Sequence, residues 1–301
     1  MLFKNLVIYT FSQPFSLDEE KLQAALESHR FQPCSSQEKE RLGWVSPLTQ
    51  NQEQLFLNSQ GYFLLKSKRQ EKLLPSQVVN ELVQERLEKL EEEQSRRPTK
   101  KERQDVKDQV TLELLPRAFS RHQFSFLCIA PEQGWIAVDT SSYNKAEPLL
   151  NLLREGLGSF PVIPPRVKQS PAVVMTSWLN DATSVPEEVV IADECELRDP
   201  ADDGGIIKIR RQALDSDEIQ THLEAGKQAT KLRMSWQDSL EFMLCDDLTF
   251  KRVQASERLQ DELEHTETDN RDQELDALFT MSALELNRLL PQWLEWFGGK
   301  E

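Results

Sequence analysis

Three prolines, Pro75, Pro98 and Pro116, bracket and divide one stretch of this chain in which apolar residues recur at helical spacing. Val79, Leu82, Val83, Leu87 and Leu90 fall three or four apart, with Glu81, Glu85, Glu88 and Glu91 on the remaining faces. Pro75 and Ser76 open this helix, and Pro98 stops it because a proline ring clashes with the preceding turn. A second helix starts at once. Thr99 and Glu102 have the spacing of a capping box, and Val106, Val110 and Leu114 form an apolar stripe as far as Pro116. Residues 75–116 are therefore expected to form a helical hairpin lobe.

On either side the chain alternates between strand and helix patterns. FKNLVIYTF reads as a strand, and SLDEEKLQAALESH as a helix capped by Ser16 with Glu19 three residues on. GYFLLKSKR is a strand running out into positive charge. HQFSFLCIA and GWIAVDT read as paired strands, followed by a helix that Gly156 or Gly158 closes and in which Pro148 must sit early or make a kink. SFPVIPPRVKQSP reads as an extended crossing, and 173–207 as irregular up to a turn at Gly204–Gly205 and a strand through Ile206, Ile207 and Ile209. Asp215 with Glu218 caps a short helix through Leu223; KLRMSW, LEFMLCD and TFKRVQA then suggest three antiparallel strands before a C-terminal helix. The class is α+β. Its expected organisation is a central α+β region of 1–74 and 117–170, the hairpin lobe 75–116, and a second α+β lobe 171–301 with an acidic stretch and the last helix.

Among 301 residues, 51 acidic side chains stand against 36 Lys plus Arg, a net charge of −15. Such a balance opposes DNA binding only where charge is evenly spread. Here residues 96–107 hold Arg96, Arg97, Lys100, Lys101, Arg103 and Lys107 against Glu102 and Asp105, whereas 257–276 hold nine carboxylates against Arg258 and Arg271. Cations at the start of the second helix oppose its dipole, a small cost that hints at use. The cluster is either a solvated helix joint or a surface that neutralises phosphates without reading sequence. Nothing near it supplies a recognition helix, a zinc finger or a paired aromatic stacking platform. Just beyond, Phe119 lies between Arg117 and Arg121 in LLPRAFSRH, which reads as a loop or turn. Its ring either tucks into its own core or inserts into a partner, as aromatic anchors of interfaces do.

Other chemistry is sparse. No apolar run approaches the ~20 residues of a membrane span. The opening MLFKNLVIYTFSQPF lacks the apolar run and cleavage site of a signal peptide, and Cys34, Cys128, Cys195 and Cys245 read as four buried thiols of a reduced cytosol. Glycine-rich phosphate loops and the serine elbow are absent, and His29, His122, His222 and His265 show no metal spacing. One alternative is a Mg²⁺-dependent nuclease built on Asp202–Asp203 or Asp246–Asp247 with Lys208 nearby, although both pairs also suit turns. Another is a protein–protein adaptor that binds its partner through the hairpin.

A resemblance orders these readings. MLFKNLVIY, FQPC followed by GWVSPL, EKLLPSQVV, LLPRAFSRH, WIAVDTSSYNKAE, LREGLGSFPVIP, DDGGIIK, EAGKQATKLRMSW and FMLCDD occur in that order along the chain, which resembles the recombination-associated RdgC family of proteobacteria from end to end. The resemblance implies a crescent-shaped, multi-lobed subunit in a ring-shaped homodimer. Such a ring binds double- and single-stranded DNA with little sequence preference, limits recombinase filaments and protects replication forks. It implies no enzymatic activity, no cofactor and a cytoplasmic, nucleoid-associated location. The family's gate phenylalanine falls on Phe119, and the basic residue and glutamine of the same interface on Arg211 and Gln212, with arginine in place of lysine. The basic joint corresponds through Arg96, Arg97, Lys100, Arg103 and Lys107, with Arg117 and Arg121 beside the gate. Thr99 stands where the family has a basic residue and Lys101 where it has a threonine, so the net charge survives.

Overall fold

The computed structural model describes the chain except for Asp202, 265–267 and Asp269, and residues 262–264 in backbone only. His265 and the Asp202 of the first aspartate pair thus lie outside the described residues. The elements begin β1 (Leu6–Phe11), α1 (Glu19–Ser28), β2 (Glu40–Val45), β3 (Phe56–Ser59), β4 (Tyr62–Leu73), α2 (Ser76–Gln94) and α3 (Lys100–Leu114). They continue with β5 (Phe119–Ala130), β6 (Trp135–Asp139), α4 (Tyr143–Leu157), β7 (Val162–Ile163), α5 (Pro171–Asn180), β8 (Val189–Arg198) and β9 (Ile206–Arg210). The last are α6 (Asp217–Glu224), β10 (Gln228–Trp236), β11 (Leu240–Cys245), β12 (Phe250–Ala255), α7 (Glu257–Glu264) and α8 (Arg271–Trp296). The α+β class with antiparallel sheets holds.

Contacts group the chain into two units, one of residues 1–28, 46–66 and 125–301, the other of 29–45 and 67–124. In the first, β1 is buried along its whole length between β6 and β12, both antiparallel to it, and β12, β11, β10, β8 and β9 follow outward in that order. β10, β11 and β12 form the three antiparallel, tightly joined strands expected. Over them α8 lays a row of aromatics, with Trp293 fully buried and its ring 5.1 Å from that of Phe250. The indole N–H of the fully buried Trp236 donates to Gln292 at 2.9 Å, so the ring is buried without an orphaned donor. Helices α1 and α4 touch at Gly156, where an added Cβ would stand 2.8 Å from the Ala25 carbonyl oxygen.

The second unit holds β2, the latter part of β4, the hairpin and the start of β5. Val79, Leu87 and Val110 are buried between α2 and α3, and Arg86 clasps Glu113 across the pair. The buried Lys72 donates from Nζ to the carbonyl oxygens of Ser36 (2.9 Å) and Leu115 (3.0 Å), pinning the turn that follows α3.

Several local expectations change. Asp18, not Ser16, caps α1, because its carboxylate accepts the Lys21 N–H at 2.9 Å. α2 ends at Gln94, where Ser95 turns left-handed (φ 49°), four residues before Pro98. The stretch 173–207 is not irregular, since it contains most of α5 and all of β8. Ser216, not Asp215, stands at the start of α6. Pro148 and Pro291 lie inside α4 and α8. Cys128, Cys195 and Cys245 are buried thiols, but Cys34 is only half-buried.

Candidate nucleic-acid interface

The two units differ in charge more than the whole chain suggests. Residues 29–45 and 67–124 carry 16 Lys and Arg against 13 carboxylates, a net +3, whereas the remainder carries 20 against 38, a net −18. All the predicted phosphate-contacting residues and Phe119 fall in the second unit, while Arg211 and Gln212 fall in the first.

The helix joint is built by its own sequence. Thr99 Oγ1 accepts the Glu102 N–H (3.3 Å), and Glu102 accepts the Thr99 N–H (2.7 Å), completing the expected capping box. Arg96 then grips the same carboxylate with both guanidinium nitrogens, at 2.7 and 3.0 Å. These bonds, first from Arg96 and then from Thr99, hold the Glu102 carboxyl down at about 2. A value depressed below the ordinary 4.5 means that the stabilisation is fully present above that pH and is lost as pH falls through about 2. The start of α3 is therefore expected to remain capped at about pH 4. An NMR titration of the Glu102 carboxyl with a midpoint at the ordinary value would show that the box is not formed.

Beside this clamp stand further cations. Lys100, Lys101, Arg103 and Lys107 are exposed and form no ion pair among the described residues. Spacings of three and four place Lys100, Arg103 and Lys107 on one face of α3, with Lys101 to the side. The Arg97 side chain is 89% exposed and only 4.0 Å from Glu91 at its nearest. Arg117 ends the turn pinned by Lys72 and is unpaired among the described residues, whereas Arg121 binds Glu71 at 2.7 Å. Phe119 is not in a loop. It opens β5, and it is 86% exposed, which excludes packing into its own core. In the first unit Arg211 adopts a left-handed backbone (φ 57°) just after β9, and the Gln212 side chain donates to Glu218 at 2.7 Å.

Two sets of residues escape a sequence reading. In the first unit Lys208, Arg210, Lys231, Lys251 and Arg252 converge, with Glu194 and Glu196, on a cleft of about 300 Å³. Lys208 and Lys231 both reach Glu196 (3.7 and 2.8 Å), and Arg210 and Arg252 both reach Glu194 (3.2 and 2.8 Å). Burial alone would raise the Glu196 carboxyl; Lys231, then the Thr230 hydroxyl and Lys208, outweigh it and hold the group low. The available signal is KIR and KLR, whose cations stand two apart and so share a strand face, whereas the adjacent Lys251 and Arg252 both line the cleft where Arg252 turns left-handed (φ 53°). The second set is Phe31, Lys68 and Phe124, in which the Lys68 ammonium lies 4.6 and 5.9 Å from the centroids of the two rings.

The aspartate pairs behave differently. Asp247 accepts the Thr249 N–H (3.1 Å) and hydroxyl (2.6 Å), as turn residues do, and burial raises the Asp246 carboxyl. Among the described residues no three His, Cys, Asp or Glu side chains are grouped to hold a metal ion, and no helix is long and apolar enough to cross a membrane.

A family model described as "Putative exonuclease, RdgC" matches residues 1–300. The chain belongs to the RdgC family. Among its relatives, the "Recombination-associated protein RdgC" of Pseudomonas fluorescens is 44% identical over 302 positions, covering 100% of this chain and 98% of the relative. The proteins of the same name from Pseudomonas entomophila and Tolumonas auensis are 42% and 40% identical, with 100% of this chain covered and 98% and 99% of theirs. RdgC proteins are thus associated, at the level of the family, with recombination.

Proposed function

We propose that this chain is a DNA-binding homodimer without sequence preference, enzymatic activity or cofactor, which limits recombinase-driven recombination and aids repair of replication forks. The observation that carries this reading is the segregation of charge: a net −18 on one unit and +3 on the other, with Lys100, Lys101, Arg103 and Lys107 exposed at the hairpin joint and in no ion pair among the described residues. Lysine and arginine placed so neutralise phosphates and release counterions from any sequence alike. The acidic remainder repels DNA from other approaches and steers it toward the cations. In this reading two crescent subunits form a ring around double- or single-stranded DNA in the cytoplasm, at the nucleoid. Phe119 anchors one closing interface, to which Arg211 and Gln212 contribute.

The test uses two duplexes of unrelated sequence in the presence of Mg²⁺, with bound DNA recovered on denaturing gels. Equal affinities and intact strands support the proposal, and a strong preference for one duplex contradicts it. The family description favours a second reading, an exonuclease. Shortened strands, whose appearance is abolished by Asp203→Asn or Asp247→Asn, would establish that reading instead.

A further inference from the structure

Phe124 is an exposed phenylalanine on a strand whose first six residues, Phe119 to Phe124, are all exposed. The residue is 54% exposed, and the Lys68 ammonium lies 5.9 Å from its ring centroid. The same ammonium lies 4.6 Å from the centroid of Phe31. One cation thus lies within reach of two aromatic rings, and the three residues come from three separate parts of the chain.

The Phe31 end is rigidly held. Its N–H donates to the Trp44 carbonyl oxygen at 2.8 Å, and the Trp44 N–H donates to that of His29 at 3.0 Å, adding a short parallel bridge beside β2. Only glycine fits at position 43, since a Cβ there would stand 2.5 Å from the Phe31 Cα. On the adjoining β4 and β5, Gln70 donates to Ser120 at 2.9 Å and Arg121 pairs with Glu71 at 2.7 Å, fixing the strands that carry Lys68 and Phe124. Rings set by backbone lose little freedom when a ligand arrives.

Resting on the reading of this chain as a DNA-binding protein, we propose that Phe31, Lys68 and Phe124 form a stacking site for the unpaired bases of single-stranded DNA. An aromatic face accepts any base, and an ammonium beside it neutralises the phosphate of the same nucleotide. Bases inside a duplex are already stacked and cannot offer their faces, so the site distinguishes strand state rather than sequence. The positive balance of the unit that carries it favours a polyanion over a peptide as the occupant.

The test compares three probes by fluorescence anisotropy with the intact protein: a ~16-nucleotide oligothymidylate, an abasic strand of equal length, and a duplex. Wild type is expected to bind oligothymidylate more tightly than the abasic strand, by roughly 5- to 150-fold for each stacked base. Phe124→Ala should abolish that preference and leave duplex affinity unchanged, whereas Phe124→Tyr should keep it. Lys68→Met should weaken both single strands together. Equal binding of thymidylate and abasic strands by wild type, with duplex still bound, overturns the stacking site alone and leaves the aromatic pair to a protein partner. A parallel loss of duplex binding in Phe124→Ala overturns it too, by showing a structural role. Failure of wild type to bind any probe overturns the DNA-binding reading as well.

Discussion

Replacing Lys100, Lys101, Arg103 and Lys107 together by glutamine is expected to weaken duplex binding at ~50 mM salt by roughly two to four decades. Each phosphate contact contributes a salt slope of about 0.9, hence about one decade of affinity at 50 mM relative to 1 M. Four contacts give about four decades, and partial engagement gives fewer. The change should disturb the fold little, because these side chains are exposed and form no ion pair among the described residues, Arg103 gives up only a long 3.4 Å hydrogen bond to the Pro98 carbonyl oxygen, and the capping box uses Thr99, Glu102 and Arg96. Glutamine also keeps the helix propensity of the positions. The fall in affinity between about 50 and 200 mM salt should shrink by about two decades for the same reason. Replacing Arg96 instead would confound the measurement, since its loss removes a partner of Glu102. Undiminished binding by the four-site variant would move phosphate contact elsewhere, and the cations around Glu194 and Glu196 would be the next to test.

Phe119→Ser should weaken self-association by roughly 30- to 1000-fold, the ~2–4 kcal/mol carried by a hot-spot aromatic. A ring that is 86% exposed gains almost nothing from its own fold, so the substitution should leave the melting temperature of the monomer nearly unchanged. The combination is diagnostic: a buried core phenylalanine would lose stability, and an idle surface one would lose nothing. Lys72 holds the preceding turn through Leu115, so Phe119 is presented on a fixed base. Sedimentation across a dilution series reads the effect. Association equal to that of wild type would remove Phe119 from the interface.

Local signals made part of this structure legible. The hairpin rests on neighbours in sequence, with periodic leucines and valines, a Thr99–Glu102 box and bounding prolines, and it forms almost as written. β10 to β12 were equally plain, because each is a short apolar-rich run and tight turns join them. α5 was not, since PAVVMTSWLN is apolar on nearly every side and so shows no amphipathic period. β8 was hidden by Glu194 and Glu196, which look like loop residues until cations from β9, β10 and β12 are placed beside them. Gly43 disguised β2 because a strand glycine has no side chain to show alternation, and its use is the close approach of Phe31. At the candidate interface the basic cluster was visible as a run, but its division into an Arg96 clamped on Glu102 and exposed neighbours was not. Nor could residues 31, 68 and 124 be seen to meet, because only the fold brings them together.

The most direct test of phosphate recognition is the affinity of the wild-type protein for a duplex from about 50 to about 300 mM salt. Arg97, Lys100, Lys101, Arg103, Lys107 and Arg117 offer six contacts from one chain, and a second copy adds to them. Six to ten contacts predict a straight line of log affinity against log salt with a slope of about −5 to −9. A slope near zero, or no binding at the lowest salt, would contradict it.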